Sequence, residues 1–158
     1  MRQQLIDTFG RIHKDLRISI TDRCNFRCTY CMPEDGLDWP PREEILAFEE
    51  IERIASLLVK RFGIESIRLT GGEPTVRANL DDLINRLSRL KVDLSMTTNG
   101  ATLSLSANRL REAGLERINI SLDSLRPERF TALTRRDNLK EVLDGISTAI
   151  EAGFDPVK

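Results

Sequence analysis

Every cysteine of this chain falls within eight residues, CNFRCTYC from Cys24 to Cys31, spaced Cys-x3-Cys-x2-Cys. In a reducing compartment an odd number of clustered thiols points to metal or redox chemistry more than to disulfides. Three inert thiols buried in one loop are the blander reading. Structural zinc takes four protein ligands, usually in two paired knuckles. The one histidine, His13, lies eleven residues before Cys24, and no second pair follows. A cubane iron–sulfur cluster normally takes four thiolates, so three leave one iron without a protein ligand. An open coordination position is a place for substrate or cofactor to bind. Further along, GGEP (Gly71 to Pro74) follows an apolar run; taken alone it reads as a glycine turn after a strand.

Loops of this kind need a scaffold, and the hydrophobic periodicity supplies one. LRISIT (16–21), SIRLT (66–70), DLSMTT (93–98) and RINISLD (117–123) alternate apolar and polar residues, which is the strand period. Between them lie helical patterns. The longest runs from about Arg42 to Phe62, with Ile45, Phe48, Ile51, Ile54, Leu57, Leu58 and Phe62 at three-to-four spacing and Gly63 as its stop. Others are expected over 80–90, 105–113 and 139–152, with RPERFTALT as a turn or two before the last. Strand and helix alternating four times implies parallel strands joined by crossovers. DPVK at the end reads as a fifth strand beginning.

The alternation assigns the faces. Leu16, Ile18, Ile20, Ile67, Leu69, Leu94, Met96, Ile118, Ile120 and Leu122 form the side expected beneath the helices. The opposite side carries Arg17, Ser19, Thr21, Ser66, Arg68, Thr70, Ser95, Thr97, Asn119, Ser121 and Asp123. A closed barrel fills its interior with bulky branched side chains. A polar interior implies an open or wide barrel holding water and a polar ligand, with TDRCN, TGGEP, TTNG and SLDSL at the strand ends where barrels keep their chemistry. The competing architecture, an open doubly wound sheet, wants both strand faces apolar. The fold expected is therefore α/β: parallel βα repeats forming about half of an incomplete, open TIM-type barrel, truncated as the fifth strand starts. Residues 1–158 would make one domain.

Composition excludes other classes. With 40% hydrophobic and 31% charged residues the 158-residue chain is an ordinary globular sequence. Its 24 basic and 25 acidic residues give a formal net charge of −1, so nothing favours broad nucleic-acid or anionic-membrane binding. MRQQLIDTFGRIHKD lacks the apolar core of a signal peptide, and no apolar run reaches membrane-spanning length. A cytoplasmic protein is expected. His13 and Trp39 receive no functional role: the first is expected exposed before the first strand, the second packed in the long loop with Pro40 and Pro41.

CNFRCTYC resembles the signature of radical S-adenosylmethionine (radical SAM) enzymes, and GGEP is similar to their second hallmark. In that superfamily the open iron of a [4Fe–4S] cluster binds S-adenosylmethionine, whose reductive cleavage gives methionine and a 5′-deoxyadenosyl radical. On this reading Gly71 and Gly72 let backbone approach the methionine moiety, and Glu73 or a backbone carbonyl receives its ammonium. LRISITDRCNFRCTYCMPEDG, IRLTGGEPTVR, MTTNG and INISLDSL, in this order, resemble the N-terminal half of the GTP 3′,8-cyclase family of molybdenum cofactor biosynthesis. The resemblance covers nearly the whole chain. It implies an incomplete barrel, cluster ligands at Cys24, Cys28 and Cys31, S-adenosylmethionine contacts at Tyr30, Gly72 and Ser121, and GTP contacts at Arg17, Arg68, Thr97 and Lys158.

It also implies a C-terminal half with a second [4Fe–4S] cluster, an electron donor, and a cyclic pyranopterin monophosphate synthase downstream as partners, with a homodimer as the assembly. The chain is expected to be the radical-initiating fragment, inactive alone. Another radical SAM enzyme with a different substrate, or a zinc-binding interaction module, stands as the alternative.

Overall fold

The computed structural model describes residues 3–158. Four strands, β1 (Asp15–Ser19), β2 (Ser66–Thr70), β3 (Asp93–Thr98) and β4 (Arg117–Ile120), form one sheet in the order β1-β2-β3-β4. All pairings are parallel, with Arg17 opposite Arg68, Arg68 opposite Ser95, and Ser95 opposite Arg117. Among the described residues five α-helices accompany them: α1 (Phe48–Phe62), α2 (Leu80–Ser88), α3 (Ala107–Glu112), α4 (Pro127–Thr134) and α5 (Leu139–Glu151). The strand order never reverses, so crossovers of one hand place their helices on one face, which sets aside the doubly wound alternative.

That face is the core. Ile67, Leu69, Met96 and Ile118 are fully buried with Leu83, Ile84 and Leu87 of α2 and Ala107 of α3. On the opposite side Arg17, Ser19 and Arg68 are exposed. α5 joins the core closely because it carries Gly145: a Cβ there would lie 2.4 Å from the Gly100 carbonyl oxygen in the loop after β3. Val157 bridges Ile118 in parallel, and the Ile120 N–H donates to the Lys158 carbonyl at 2.7 Å. A fifth strand has therefore begun on the β4 side, and the sheet stays open. Among the described residues no helix is long and apolar enough to cross a membrane.

Two helices depart from the expected pattern. α1 starts at Phe48, not near Arg42, because Ala47 is extended and its N–H donates to the Glu50 carboxylate at 2.7 Å, closing the first turn. Acidic residues in its first turn and Lys60 and Arg61 in its last suit the helix dipole. Its core stripe runs through Ile51 and Ala55, and Ile54 and Leu57 are exposed. At about 100° per residue, Leu57 points roughly opposite to Ala55. The third helical pattern splits into a 3-10 turn at Leu103–Leu105 and α3, leaving Leu105 exposed.

Candidate functional site

The loops that follow the four parallel strands meet at the C-terminal end of the sheet. The cysteine loop after β1 is anchored by its apolar residues: Phe26 and Met32 are buried, and Phe26 meets Phe130 of α4 edge-on, with ring centroids 5.8 Å apart. Cys24 and Cys28 are half-buried against the cluster of Phe26, Phe130, Leu139 and Val142, whereas Cys31 is exposed. Tight turns bring the second and third cysteines together, with the N–H groups of Cys31 and Met32 donating to the Cys28 carbonyl at 3.0 and 2.9 Å. Burial pushes the Cys24 and Cys28 thiols up, and the neighbouring Glu73 and Asp123 carboxylates add to this for Cys24 and Cys28 respectively. Metal would have to displace protons there.

Among the described residues no three His, Cys, Asp or Glu side chains converge as ligands of one ion. The donor set consists of three thiols spread along a single loop, in which Cys28 and Cys31 lie close enough to help push the Cys24 thiol up and Cys31 does the same for Cys28. A cubane cluster, in which each thiolate bonds a different iron, fits that arrangement better than a tetrahedral zinc.

The GGEP loop after β2 packs backbone to backbone on the cysteine loop. The Gly72 N–H donates to the Thr21 carbonyl at 2.7 Å and the Glu73 N–H to the Arg23 carbonyl at 2.8 Å. A Cβ at Gly72 would lie 2.4 Å from the carbonyl oxygens of both Asp22 and Arg23, so only glycine fits. Both glycines thus serve a contact between loops, which their reading as access for a ligand did not anticipate. Glu73, expected as an acceptor for the methionine ammonium, has its own partners. It is 1% exposed. Its Oε1 accepts from the Thr75 N–H at 3.0 Å, the Thr75 hydroxyl at 2.7 Å and the Thr98 hydroxyl at 2.6 Å, and its Oε2 accepts from the Asn99 N–H at 2.7 Å. Asn99 carries the network onward, donating from Nδ2 to Asn25 Oδ1 at 2.7 Å beside Cys24.

Tyr30 reaches from the cysteine loop to the loop after β4, where its hydroxyl donates to Asp123 Oδ2 at 2.6 Å. That bond, reinforced by burial, pushes the phenol well above its usual range, so it stays a donor. Ser121 is exposed two residues earlier, with its N–H on the Thr98 carbonyl. Asp123 had appeared in the sequence only as a polar-face residue; a fold was needed to find its partner.

On the polar face the structure brings Arg17 and Arg68 side by side, with Arg17 Nε donating to Thr70 Oγ1 at 3.3 Å. Thr97 is half-buried in the middle of the sheet, and Lys158 is exposed at the opposite edge from β1. Arg117 shares the row of Arg17 and Arg68 and was missed, although two-residue alternation back from Asn119 leads to it. It is spoken for by Asp93, to which its guanidinium donates twice, one bond at 2.7 Å. His13 lies exposed with Nε2 3.4 Å from Asp7 Oδ2, and Trp39 is half-buried with the Arg27 guanidinium 5.9 Å from its ring centroid.

A profile of the radical SAM superfamily matches residues 18–158. GTP 3′,8-cyclases of Rhodopirellula baltica and Streptomyces coelicolor are 56% and 51% identical to the chain over 98% of its length. The match takes in 44% and 46% of those proteins, so the chain spans about half the length of the curated relatives it matches. Among solved structures, SuiB of Streptococcus suis bound to S-adenosylmethionine superposes with a TM-score of 0.71 at 20% identity, over 89% of this chain and 32% of SuiB. Methylornithine synthase (PylB) gives 0.70 at 16% identity, over 89% and 42%. At such identities these two speak for the fold, in which an open parallel sheet is a partial barrel.

Proposed function

The chain belongs to the radical SAM superfamily, which works with a [4Fe–4S] cluster and S-adenosylmethionine, and from that premise we propose that it is the radical-generating part of a GTP 3′,8-cyclase. The cluster, held by Cys24, Cys28 and Cys31, would supply the electron that cleaves S-adenosylmethionine to methionine and the 5′-deoxyadenosyl radical. Tyr30, Gly72 and Ser121 place the cofactor between the cysteine loop and the ends of β2 and β4. Arg17, Arg68, Thr97 and Lys158 receive GTP on the polar face. The ribose 3′ hydrogen would pass to the 5′-deoxyadenosyl radical, giving 5′-deoxyadenosine; the 3′ carbon radical would add to C8 of guanine, and a second electron from the donor, with a proton, would give (8S)-3′,8-cyclo-7,8-dihydroguanosine 5′-triphosphate, the substrate of cyclic pyranopterin monophosphate synthase. The remainder of the protein brings the second [4Fe–4S] cluster. An electron donor, a homodimer and a cytoplasmic location complete the reading.

The observation that carries it is the likeness, over nearly the whole chain, to proteins named GTP 3′,8-cyclase. Two adjacent arginines on an exposed polar face add physical support, since two like charges side by side favour a polyanionic partner such as a triphosphate. The test uses the full-length protein, reconstituted anaerobically and given reductant, S-adenosylmethionine and GTP. Cyclised nucleotide forming in step with 5′-deoxyadenosine is the expected result. Deoxyadenosine without consumption of GTP would move the protein to another radical SAM reaction, and stoichiometric zinc without sulfide would remove the radical reading altogether.

A further inference from the structure

The cysteine loop has almost no secondary structure of its own, so its carbonyls need side-chain partners, from within the loop and from outside it. Three guanidinium groups provide them. Arg27 Nη1 donates to the carbonyls of Cys24 and Phe26 at 2.7 and 2.9 Å. Arg135 Nη1 donates to those of Arg27 and Met32 at 3.5 and 3.3 Å, and Arg136 Nε to that of Asn25 at 3.0 Å. Traffic also runs the other way: the N–H groups of Arg27 and Thr29 donate to the carbonyls of Thr134 and Leu133, at 3.1 and 2.8 Å, at the end of α4. Arg135 adopts the left-handed conformation (φ 54°), which turns the chain sharply enough for two consecutive arginines to face the loop. The Thr134 hydroxyl fixes that turn, its single proton shared between the carbonyls of Phe130 and Arg136 at 2.9 and 3.1 Å.

We propose that Arg135 and Arg136 are positioning residues that hold the cysteine loop in its cluster-binding conformation before any metal arrives, and that their charge favours the electron-rich state of the loop once loaded. The second half rests on the radical SAM reading; the first does not. Fixed cations beside a site that gains an electron stabilise the more negative state.

Hydrogen exchange on the metal-free full-length protein tests the first half. In Arg135→Gln and in Arg136→Gln, the amides of Arg27 and Thr29 should exchange at least tenfold faster while those of β3 stay as in the wild type. Unchanged exchange at Arg27 and Thr29 overturns the proposal, and so does faster exchange across β3, which would mark the arginines as general stability elements. After reconstitution, a redox titration followed by electron paramagnetic resonance tests the second half. At the wild-type midpoint, each glutamine variant should hold at least threefold less reduced cluster, and Arg135→Lys and Arg136→Lys should stay within twofold of the wild type. Equal reduced fractions in all four variants overturn the electrostatic role. A wild-type protein that takes up no iron and sulfide refutes the radical SAM reading, and the exchange arm still decides the clamp.

Discussion

Replacing Glu73 by glutamine isolates the charge of a buried hub while keeping its shape. The carboxylate is 1% exposed and accepts four hydrogen bonds, from Thr75 twice, Thr98 and Asn99. All four donors sit in or beside the loops after β2 and β3. Hydrogen bonds to a charged group contribute about 1.5–3 kcal/mol each, and a buried donor left unpaired costs about 1–3 kcal/mol. A glutamine keeps one oxygen, and its NH2 then faces a donor. Glu73→Gln should therefore lose about 2–3 kcal/mol, the cost of roughly one donor left unpaired together with weakened bonds to the others. For a domain of this size that is a fall in Tm of roughly 5–10 °C. Glu73→Ala, which strands every donor, should lose more, about 3–5 kcal/mol. Urea unfolding followed by circular dichroism gives both values. A Glu73→Gln protein within about 0.5 kcal/mol of wild type, the range of an ordinary surface change, would refute the hub, because solvent would then have been satisfying those donors all along.

Gly72→Ala should destabilise by about 1–3 kcal/mol, the range for overpacking, since its Cβ would press on the Asp22 and Arg23 carbonyls; the urea midpoint measures it. In the full-length protein Arg17→Ala and Arg68→Ala should each weaken GTP binding by about 1.5–3 kcal/mol, the scale of a charge-assisted hydrogen bond, while cluster assembly and S-adenosylmethionine cleavage without GTP continue. Calorimetry and a deoxyadenosine assay check the two halves. The Asp7 carboxyl is held below its ordinary value chiefly by the Arg11 backbone N–H, with the Arg11 side chain and the Phe9 N–H assisting. A depressed folded pKa means that the turn is fully supported above the unfolded value and loses that support as pH falls through the folded one. The amide resonances of Phe9 and Arg11 should therefore move together below about pH 4, near the unfolded aspartate value, and Asp7→Asn should abolish the transition.

The sheet was readable because its strands obey a strict alternation: Ile67, Leu69, Leu94, Met96 and Ile118 were assigned to the core and are buried there. Helix starts were less so. Ala47 is a poor capping residue by type, and only the Glu50 side chain reaching back reveals the true first turn. Spacing also placed three cysteines in one loop, but not what holds the loop. Register across the sheet decides that Arg117 meets Asp93, and docking of α4 decides that Arg135 and Arg136 meet the cysteine loop. Neither relation leaves a local pattern in the chain, because both join residues far apart in sequence. Glu73 shows another limit: its type suggested a ligand contact, and the fold shows that it also ties the loops after β2 and β3 together.

The unbroken strand order bears on how the protein comes into being at the ribosome. Each strand pairs with the one synthesised just before it, and Val157 continues the series by joining β4. Among the described residues no strand pairing waits for sequence still to be translated, so assembly can keep pace with synthesis, one βα unit at a time. The three loops that carry CNFRCTYC, GGEP and TTNG belong to the earliest units. Nascent chains arrested once Lys158 has cleared the exit tunnel should already protect β2 and β3 from protease, and the cysteine loop should already be docked on α4.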